Sequence, residues 1–320
     1  MAFFLFGFGL FLLFAGGELL VRCGVGLSRL FRLSQPTIGL IVIAAGTSAP
    51  EFVVTLRAAL DGTTGLAAGN IIGSNISNVL LILGIGAMLC PLPTSPVLVF
   101  RNGGVMTAAA AVLAVMAQGG DIDRIEGAVL FAAFAAFVAS SLVLDWRRPG
   151  PYSLFEGRAA TRRSAAGHPL LMAIFLAVGV LFLYLGSNLV VDGAVVIARV
   201  TGVSEGVLGL TLVAVGTSLP ELATTLVALA RGQSGLAAGN IIGSNIFNSL
   251  GILGLTALIR PVGVPPAMAH ADAPLMLGAA VLLLPLLNSG WRLSRSEGTL
   301  LFVCYLGYLL FLGSREGVLF

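Results

Sequence analysis

Two glutamates stand within long apolar stretches of the 320-residue chain, each at the end of the same short motif. Glu51 closes the motif GTSAPE, and Glu221 closes GTSLPE 170 residues later. An ionised carboxylate in an apolar medium is strongly disfavoured unless it has a partner or a function. Two such carboxylates can neutralise one divalent cation or two monovalent cations, so we expect the pair to form the centre of a cation site.

Hydroxyl groups accompany each glutamate. Thr47 and Ser48 precede Glu51 by four and three residues, so they share its face if the segment is helical. Thr217 and Ser218 precede the second glutamate at the same spacing. Each motif is therefore predicted to present a cluster of oxygen atoms.

A proline stands immediately before each glutamate. Pro50 and Pro220 lack an amide hydrogen and crowd the preceding turn, so we expect both helices to break there. Inside a membrane, carbonyl oxygens freed by such a break need a cation or a water-lined cavity. The carbonyls expected to be free are those of Ala44, Thr47, Ala214 and Thr217.

The run GLAAGNIIGSNI occurs at 65–76 and again, letter for letter, at 235–246. With the residues that follow, it places Asn and Ser four residues apart, which predicts a polar stripe on an apolar helix. The stripe comprises Asn70, Ser74, Asn78, Asn240, Ser244 and Asn248. The glycines of the run permit close helix packing, and packing is also the favoured role of Asn75 and Asn245.

The ligand types indicate which ion the site would take. Carboxylate, hydroxyl, amide and carbonyl oxygens suit hard cations such as Ca²⁺ and Na⁺. Mg²⁺ is disfavoured because it sheds water reluctantly. His168 and His270 fall in loops, which disfavours a zinc site or a histidine proton relay. We expect transported ions and no cofactor.

The composition requires a membrane. The chain is 58% hydrophobic and 10% charged, with a mean hydropathy of +1.04, so it cannot cover itself with polar surface in water. All 17 basic residues are Arg, which we place in loops facing an anionic leaflet rather than on a nucleic acid. Apolar stretches long enough to span a bilayer occur at roughly 2–21, 36–60, 66–90, 97–117, 125–145, 169–190, 206–230, 236–259, 272–288 and 298–313.

These ten stretches form two repeats. Residues 46–84 and 216–254 match at 26 of 39 positions. Five helices per repeat is an odd number, so the second copy must enter the membrane inverted. The sequence thus predicts an all-α membrane protein in which repeats 1–146 and 169–320 are joined by an Arg-rich linker at 147–168. Inverted repeats with broken helices are typical of secondary transporters.

Arginine placement predicts the orientation. With both termini outside, twelve Arg fall on the cytoplasmic side and five outside, which satisfies the positive-inside rule for a cell-membrane protein. The linker 147–168 is then cytoplasmic, as a solvated connection or, less favoured, a regulatory segment. Two other carboxylates, Glu18 and Asp192, lie inside apolar stretches, and a pair between Arg22 and Asp192 is one possibility beside simple snorkelling.

The doubled motif is specific enough to indicate a family. GTSAPE…GNIIGSNISN and GTSLPE…GNIIGSNIFN resemble the two alpha-repeats of the cation/calcium antiporter family, close to its prokaryotic sodium/calcium exchanger branch. The resemblance implies alternating-access exchange of Na⁺ for Ca²⁺, with a first and a sixth helix that slide across a rigid remainder. It also implies that Glu51 and Glu221 are the central ligands. Around them it places Thr47, Ser48, Ser74, Asn78, Thr217, Ser218, Ser244 and Asn248, with the backbone carbonyls of Ala44 and Ala214.

Other readings compete with sodium/calcium exchange. The potassium-dependent branch carries Asp where this chain has Asn248, which disfavours K⁺ co-transport. A calcium/proton or other cation antiporter is the main alternative.

A membrane-embedded enzyme would need a nucleophile beside a base, and no Ser or Cys has a neighbouring His, so we expect no catalysis. A channel would usually draw its pore from several identical subunits, and nothing in the sequence indicates an oligomeric state.

Overall fold

The computed structural model describes residues 2–147, 168–200 and 216–315, most of them in long helices. The predicted linker, apart from its end residues, and Ala214 lie outside these ranges. The helices are α1 (Ala2–Phe31), α2 (Gln35–Thr47), α3 (Ala49–Leu60), α4 (Thr64–Leu89), α5 (Val97–Ala117), α6 (Arg124–Arg147), α7 (Pro169–Val200), α8 (Leu219–Ala230), α9 (Ser234–Ile259), α10 (Met268–Trp291) and α11 (Arg295–Arg315).

Eight of these helices are long and apolar enough to cross a bilayer, and the bent pair α2–α3 forms a ninth candidate span. Helix α8 has 12 residues and covers the second half of the stretch predicted at 206–230, whose first residues are not described. The prediction of an all-α integral membrane protein is confirmed.

Helices α1 and α7 are each about ten residues longer than predicted. They contain 30 and 32 residues, or about 45 Å of helix, whereas the hydrocarbon core is about 30 Å thick. They pack antiparallel through glycines. A Cβ at Gly9 would lie 2.8 Å from the carbonyl oxygen of Gly186, and one at Gly16 would lie 2.8 Å from that of Gly179. In the repeat, Gly9 corresponds to Gly179 and Gly16 corresponds to Gly186, each 170 residues later. The two contacts are therefore equivalent.

The first predicted helix break is present, and the backbone turns in the same way at the second predicted position. Helices α2 and α3 meet at an angle of 48°, and the backbone turns at Ser48 (φ −85°, ψ 9°). Ser218 has nearly the same torsions (φ −87°, ψ 2°) immediately before α8. Each proline follows in the first turn of the second half-helix, where its missing amide hydrogen is tolerated.

One detail of the first break was predicted wrongly. The carbonyl oxygen of Ala44 is not free, because it accepts the amide hydrogen of Ser48 at 2.9 Å. The hydroxyl of Thr47 also lies 3.3 Å from it. Helix α2 ends at Thr47 with Ser48 as its C-cap, so its last turn still closes on Ala44.

Helices α4 and α9 carry the twelve-residue run and form the buried centre of the bundle. Both change from α-helical to π-helical turns after the run, at Ser77–Ile82 and Phe247–Ile252. Such π turns are frequent at functional sites. A Cβ on Gly243 would overlap the backbone of Leu40 in α2, so glycine allows α9 to contact that helix closely.

Four two-residue strands, which the sequence did not predict, fix the relation between the repeats. They are β1 (Leu92–Pro93), β2 (Asp121–Ile122), β3 (Val262–Gly263) and β4 (Arg292–Leu293). They pair antiparallel, with Leu92 opposite Leu293 and Ile122 opposite Val262.

Strands that pair must lie on the same side of the membrane, so an even number of crossings separates β1 from β4. The described residues between them form five complete spans, which are α5, α6, α7, α9 and α10. An even number requires one more crossing, and we assign α8 to it. Five crossings then separate the equivalent strands β1 and β3, which consequently lie on opposite sides. The pairing thus agrees with two inverted repeats.

Candidate cation-binding site

The half-helices α3 and α8 bring the two glutamates into the interior of the bundle. Glu51 lies in the first turn of α3, and Glu221 lies in the first turn of α8. Both side chains are 0% exposed. The N-terminal end of a helix carries a partial positive charge, which favours a carboxylate at this position.

Glu221 receives hydroxyl groups from both repeats. Ser48 of the first repeat donates a hydrogen bond of 2.9 Å to its Oε1. Ser244 of its own repeat lies 3.5 Å from the same oxygen. The two half-sites therefore meet at this carboxylate.

The motif threonines contact the polar stripes of the opposite repeats. Thr47 donates a hydrogen bond of 3.1 Å to Oδ1 of Asn240 and lies 3.5 Å from the hydroxyl of Ser244. Reciprocally, the hydroxyls of Thr217 and Ser74 are 3.3 Å apart. Motif and stripe thus form one polar cluster at the repeat interface.

Many polar atoms in this cluster are buried without a hydrogen-bond partner. Among the described residues, none reaches either oxygen of Glu51, Oε2 of Glu221, the hydroxyl of Ser218, or the amide groups of Asn78 and Asn248. Leaving a buried polar group unsatisfied costs about 1–3 kcal/mol, and more for a charged group. These groups include six oxygen atoms, a number comparable with the six to eight that coordinate Ca²⁺.

A family model described as "Sodium/calcium exchanger protein" matches residues 1–143 and 171–313, nearly the whole chain. The chain belongs to this family. Sodium/calcium antiport, predicted from the doubled motif, is confirmed at the level of the family, whose members are transporters.

Individual relatives of this exchanger cover almost its full length. The inner membrane protein YrbG of Escherichia coli K12 is 34% identical over 91% of this chain and 89% of its own. The sodium/calcium exchanger MaX1 of Methanosarcina acetivorans is 29% identical over 95% of this chain and 96% of its own. YrbG and the candidate spans support an integral protein of the prokaryotic inner membrane.

A solved structure shares the fold. The sodium-calcium exchanger NCX_Mj, soaked with Na⁺ and Ca²⁺, superposes with a TM-score of 0.79 at 29% identity. The match covers 95% of this chain and 96% of that chain. The likeness therefore extends over both repeats.

The cluster of this exchanger contains most of the residues singled out from the sequence. Eleven of the twelve predicted ligands lie in the described ranges, and only Ala214 does not. The carbonyl oxygen of Ala44 accepts the amide hydrogen of Ser48, as described above, and keeps a second lone pair. In the described part of the chain, no three His, Cys, Asp or Glu side chains come together. A cation bound in the described cluster would thus be held by two carboxylates and by neutral oxygens.

Asn75 and Asn245, expected to pack helices, form hydrogen bonds to residues outside the predicted ligand set. The amide of Asn75 donates to the hydroxyl of Ser249 at 2.7 Å. The amide of Asn245 donates to the carbonyl of Ile241 in its own helix at 2.8 Å. The first contact joins α4 to α9 and agrees with a packing role, whereas the second stays within α9.

Two threonines beside the site were missed. Thr55 and Thr225 follow the glutamates by four residues and are fully buried or nearly so. Asn70 donates to the hydroxyl of Thr55 at 2.9 Å, and Asn240 donates to that of Thr225 at 3.3 Å. Threonine occupies this position in both repeats, so the sequence already contained a signal for these two residues.

The pair between Arg22 and Asp192, which was less favoured than snorkelling, is absent among the described residues. Arg22 instead contacts Glu18, with 2.7 Å between Nε and Oε1. Arg231 at the end of α8 donates to both oxygens of Glu18, at 3.0 and 2.8 Å. This ion pair ties α1 to the second repeat, whereas Asp192 is exposed.

Proposed function

We propose that this exchanger moves Ca²⁺ in one direction and Na⁺ in the other through a single site centred on Glu51 and Glu221. The observation that carries the proposal is the burial of both carboxylates at the repeat interface, with three of their four oxygens lacking a partner among the described residues. The surrounding ligands are Thr47, Thr217, Ser48, Ser218, Ser74, Ser244, Asn78 and Asn248.

The charge of the site sets what it can carry. The two glutamates supply two negative charges, and Asn78 and Asn248 add none. One Ca²⁺ or two Na⁺ neutralise the pair without leaving net charge in a dry cavity. The additional hydroxyl and amide oxygens exceed what one Ca²⁺ needs, so they leave room for a third Na⁺.

We infer that exchange takes more than two Na⁺ per Ca²⁺ and is electrogenic. Each net charge moved is then driven by about 2.3 kcal/mol per 100 mV. In a cell that is negative inside, this favours calcium extrusion. The excess of Arg in one set of loops supports a topology with both termini outside and the linker 147–168 in the cytoplasm.

The test uses proteoliposomes loaded with Na⁺, with the membrane potential clamped by K⁺ and valinomycin. We expect Ca²⁺ uptake that requires internal Na⁺ and that increases when the clamp makes the vesicle interior positive relative to the zero-potential control. The sign follows because net positive charge leaves the vesicle with the exchanged Na⁺. Uptake that ignores the clamp would refute electrogenic exchange. Uptake in Na⁺-free vesicles under a pH gradient would favour calcium/proton antiport.

A further inference from the structure

Asn240 bridges the two halves of the site. Its amide nitrogen donates to Thr225, which lies one helical turn after Glu221 in the same repeat. Its amide oxygen accepts the hydroxyl of Thr47 from the opposite repeat at 3.1 Å. Asn240 is 1% exposed, so its contacts are made with protein rather than with solvent.

Asn70, the equivalent residue of the first repeat, is bonded differently. Its amide nitrogen donates to Thr55 at 2.9 Å and lies 3.3 Å from the carbonyl oxygen of Glu51. Its amide oxygen is buried without a partner among the described residues. The equivalent threonine, Thr217, has its hydroxyl 3.3 Å from Ser74.

The structure therefore holds only one of two equivalent bonds between the repeats. Inverted repeats around a central site provide alternating access when one part moves against the other. A contact that only one repeat forms in this state has a counterpart in the opposite state, in which the two repeats exchange roles. In that arrangement Thr217 would donate to Asn70 and Thr47 would leave Asn240, a local change of the turns before Pro50 and Pro220 that accompanies the movement of α1 and α7.

We propose that Asn70 and Asn240 are positioning residues of the exchange cycle. Each holds the glutamate half-helix of its own repeat through the threonine one turn beyond the glutamate. They bind the motif threonine of the opposite repeat in turn, Asn240 with Thr47 in the state seen here and Asn70 with Thr217 in the state open to the other side. This inference rests on the proposed function only in requiring an alternating carrier.

The proposal predicts that substitutions of the two asparagines shift the equilibrium between the two states in opposite directions. Asn240→Leu removes a bond found in one state, whereas Asn70→Leu removes the bond of the other. The equilibrium between the states should move by about five- to tenfold, the equivalent of one buried hydrogen bond. A carrier that spends less time open to one side shows a weaker apparent affinity there and a stronger one on the opposite side.

The experiment measures KM for Ca²⁺ in right-side-out and in inside-out membrane vesicles. We expect the ratio of the two KM values to change in opposite directions for Asn240→Leu and Asn70→Leu. Thr47→Val should change it in the same direction as Asn240→Leu, and the double variant should change it no further. Thr47→Ser keeps the hydroxyl and should keep the wild-type ratio. If the substitution also removes a direct contact between Thr47 and the cation, both KM values change by the same factor. That effect cancels in the ratio.

A purely structural role predicts that both Asn variants lower the amount of folded protein and leave the ratio unchanged. An unchanged ratio, or a change in the same direction for both, would overturn the proposal. If the leucine variants fail to fold, Thr47→Val and Thr217→Val test the same opposite signs. Absence of Na⁺-dependent Ca²⁺ exchange in wild-type vesicles would instead reject the proposed function, and the ratio would then be measured with whichever cation is exchanged.

Discussion

Ser48 in the first repeat donates a hydrogen bond of 2.9 Å to the carboxylate of Glu221 in the second. The two residues are 173 positions apart, yet they meet because the backbone turn at Ser48 lies beside the first turn of α8. Neither five-helix repeat contains this contact by itself. The environment of one glutamate is thus set by the break in the opposite repeat.

Removing that hydroxyl should weaken calcium binding. A hydrogen bond to a charged group contributes about 1.5–3 kcal/mol, so we expect Ser48→Ala to raise KM for Ca²⁺ by about tenfold or more. Ser141→Ala is the matched control, because Ser141 is equally buried, in α6, and its hydroxyl has no partner among the described residues. An equal rise in both variants would show that the Ser48 contact has no specific role.

The contact between α9 and α2 depends on glycine. A Cβ at Gly243 would overlap the backbone of Leu40, and backbone cannot move aside as a flexible side chain can. We expect Gly243→Ala to cost about 1–3 kcal/mol of stability and to lower Tm in detergent. Gly278→Ala in α10 is the control, since a Cβ there meets nothing within 4 Å. A Tm for Gly243→Ala that equals the control would contradict this packing.

The native thiol of Cys90 reports the orientation. Cys90 is exposed at the end of α4, next to β1, on the cytoplasmic side if the N-terminus is outside. We expect a membrane-impermeant thiol reagent to label it only after the cells are permeabilised. In a Cys90→Ser background, Asp121→Cys on β2 should react in intact cells. The reverse pattern would invert the proposed topology.

Much of this architecture follows from the sequence, because duplication is visible without any structure. The matched glutamates, the proline breaks and the polar stripes all come from local spacing, and spacing predicts which side chains share a helical face. The number of repeats and their inversion follow from counting helices.

The structural features that the sequence did not predict depend on contacts between distant residues. The ion pair between Glu18 and Arg231 joins positions 213 apart, and no periodicity indicates such a pairing. The extra turns of α1 and α7 were missed because their polar and glycine residues lowered the local hydropathy without breaking the helix. The strands were missed because two residues are too few to form a pattern.

The most direct test of the account is equilibrium binding of Ca²⁺ to the purified exchanger, titrated with Na⁺. We expect one Ca²⁺ per chain, displaced by Na⁺ with a Hill coefficient above one, since several Na⁺ replace one Ca²⁺ at the same ligands. Glu51→Gln and Glu221→Gln should each abolish binding and transport while the protein stays folded, because each removes half of the charge that balances the ion. Calcium binding that survives in either variant at more than a tenth of the wild-type affinity, or that Na⁺ does not displace, would contradict a shared site centred on the two glutamates.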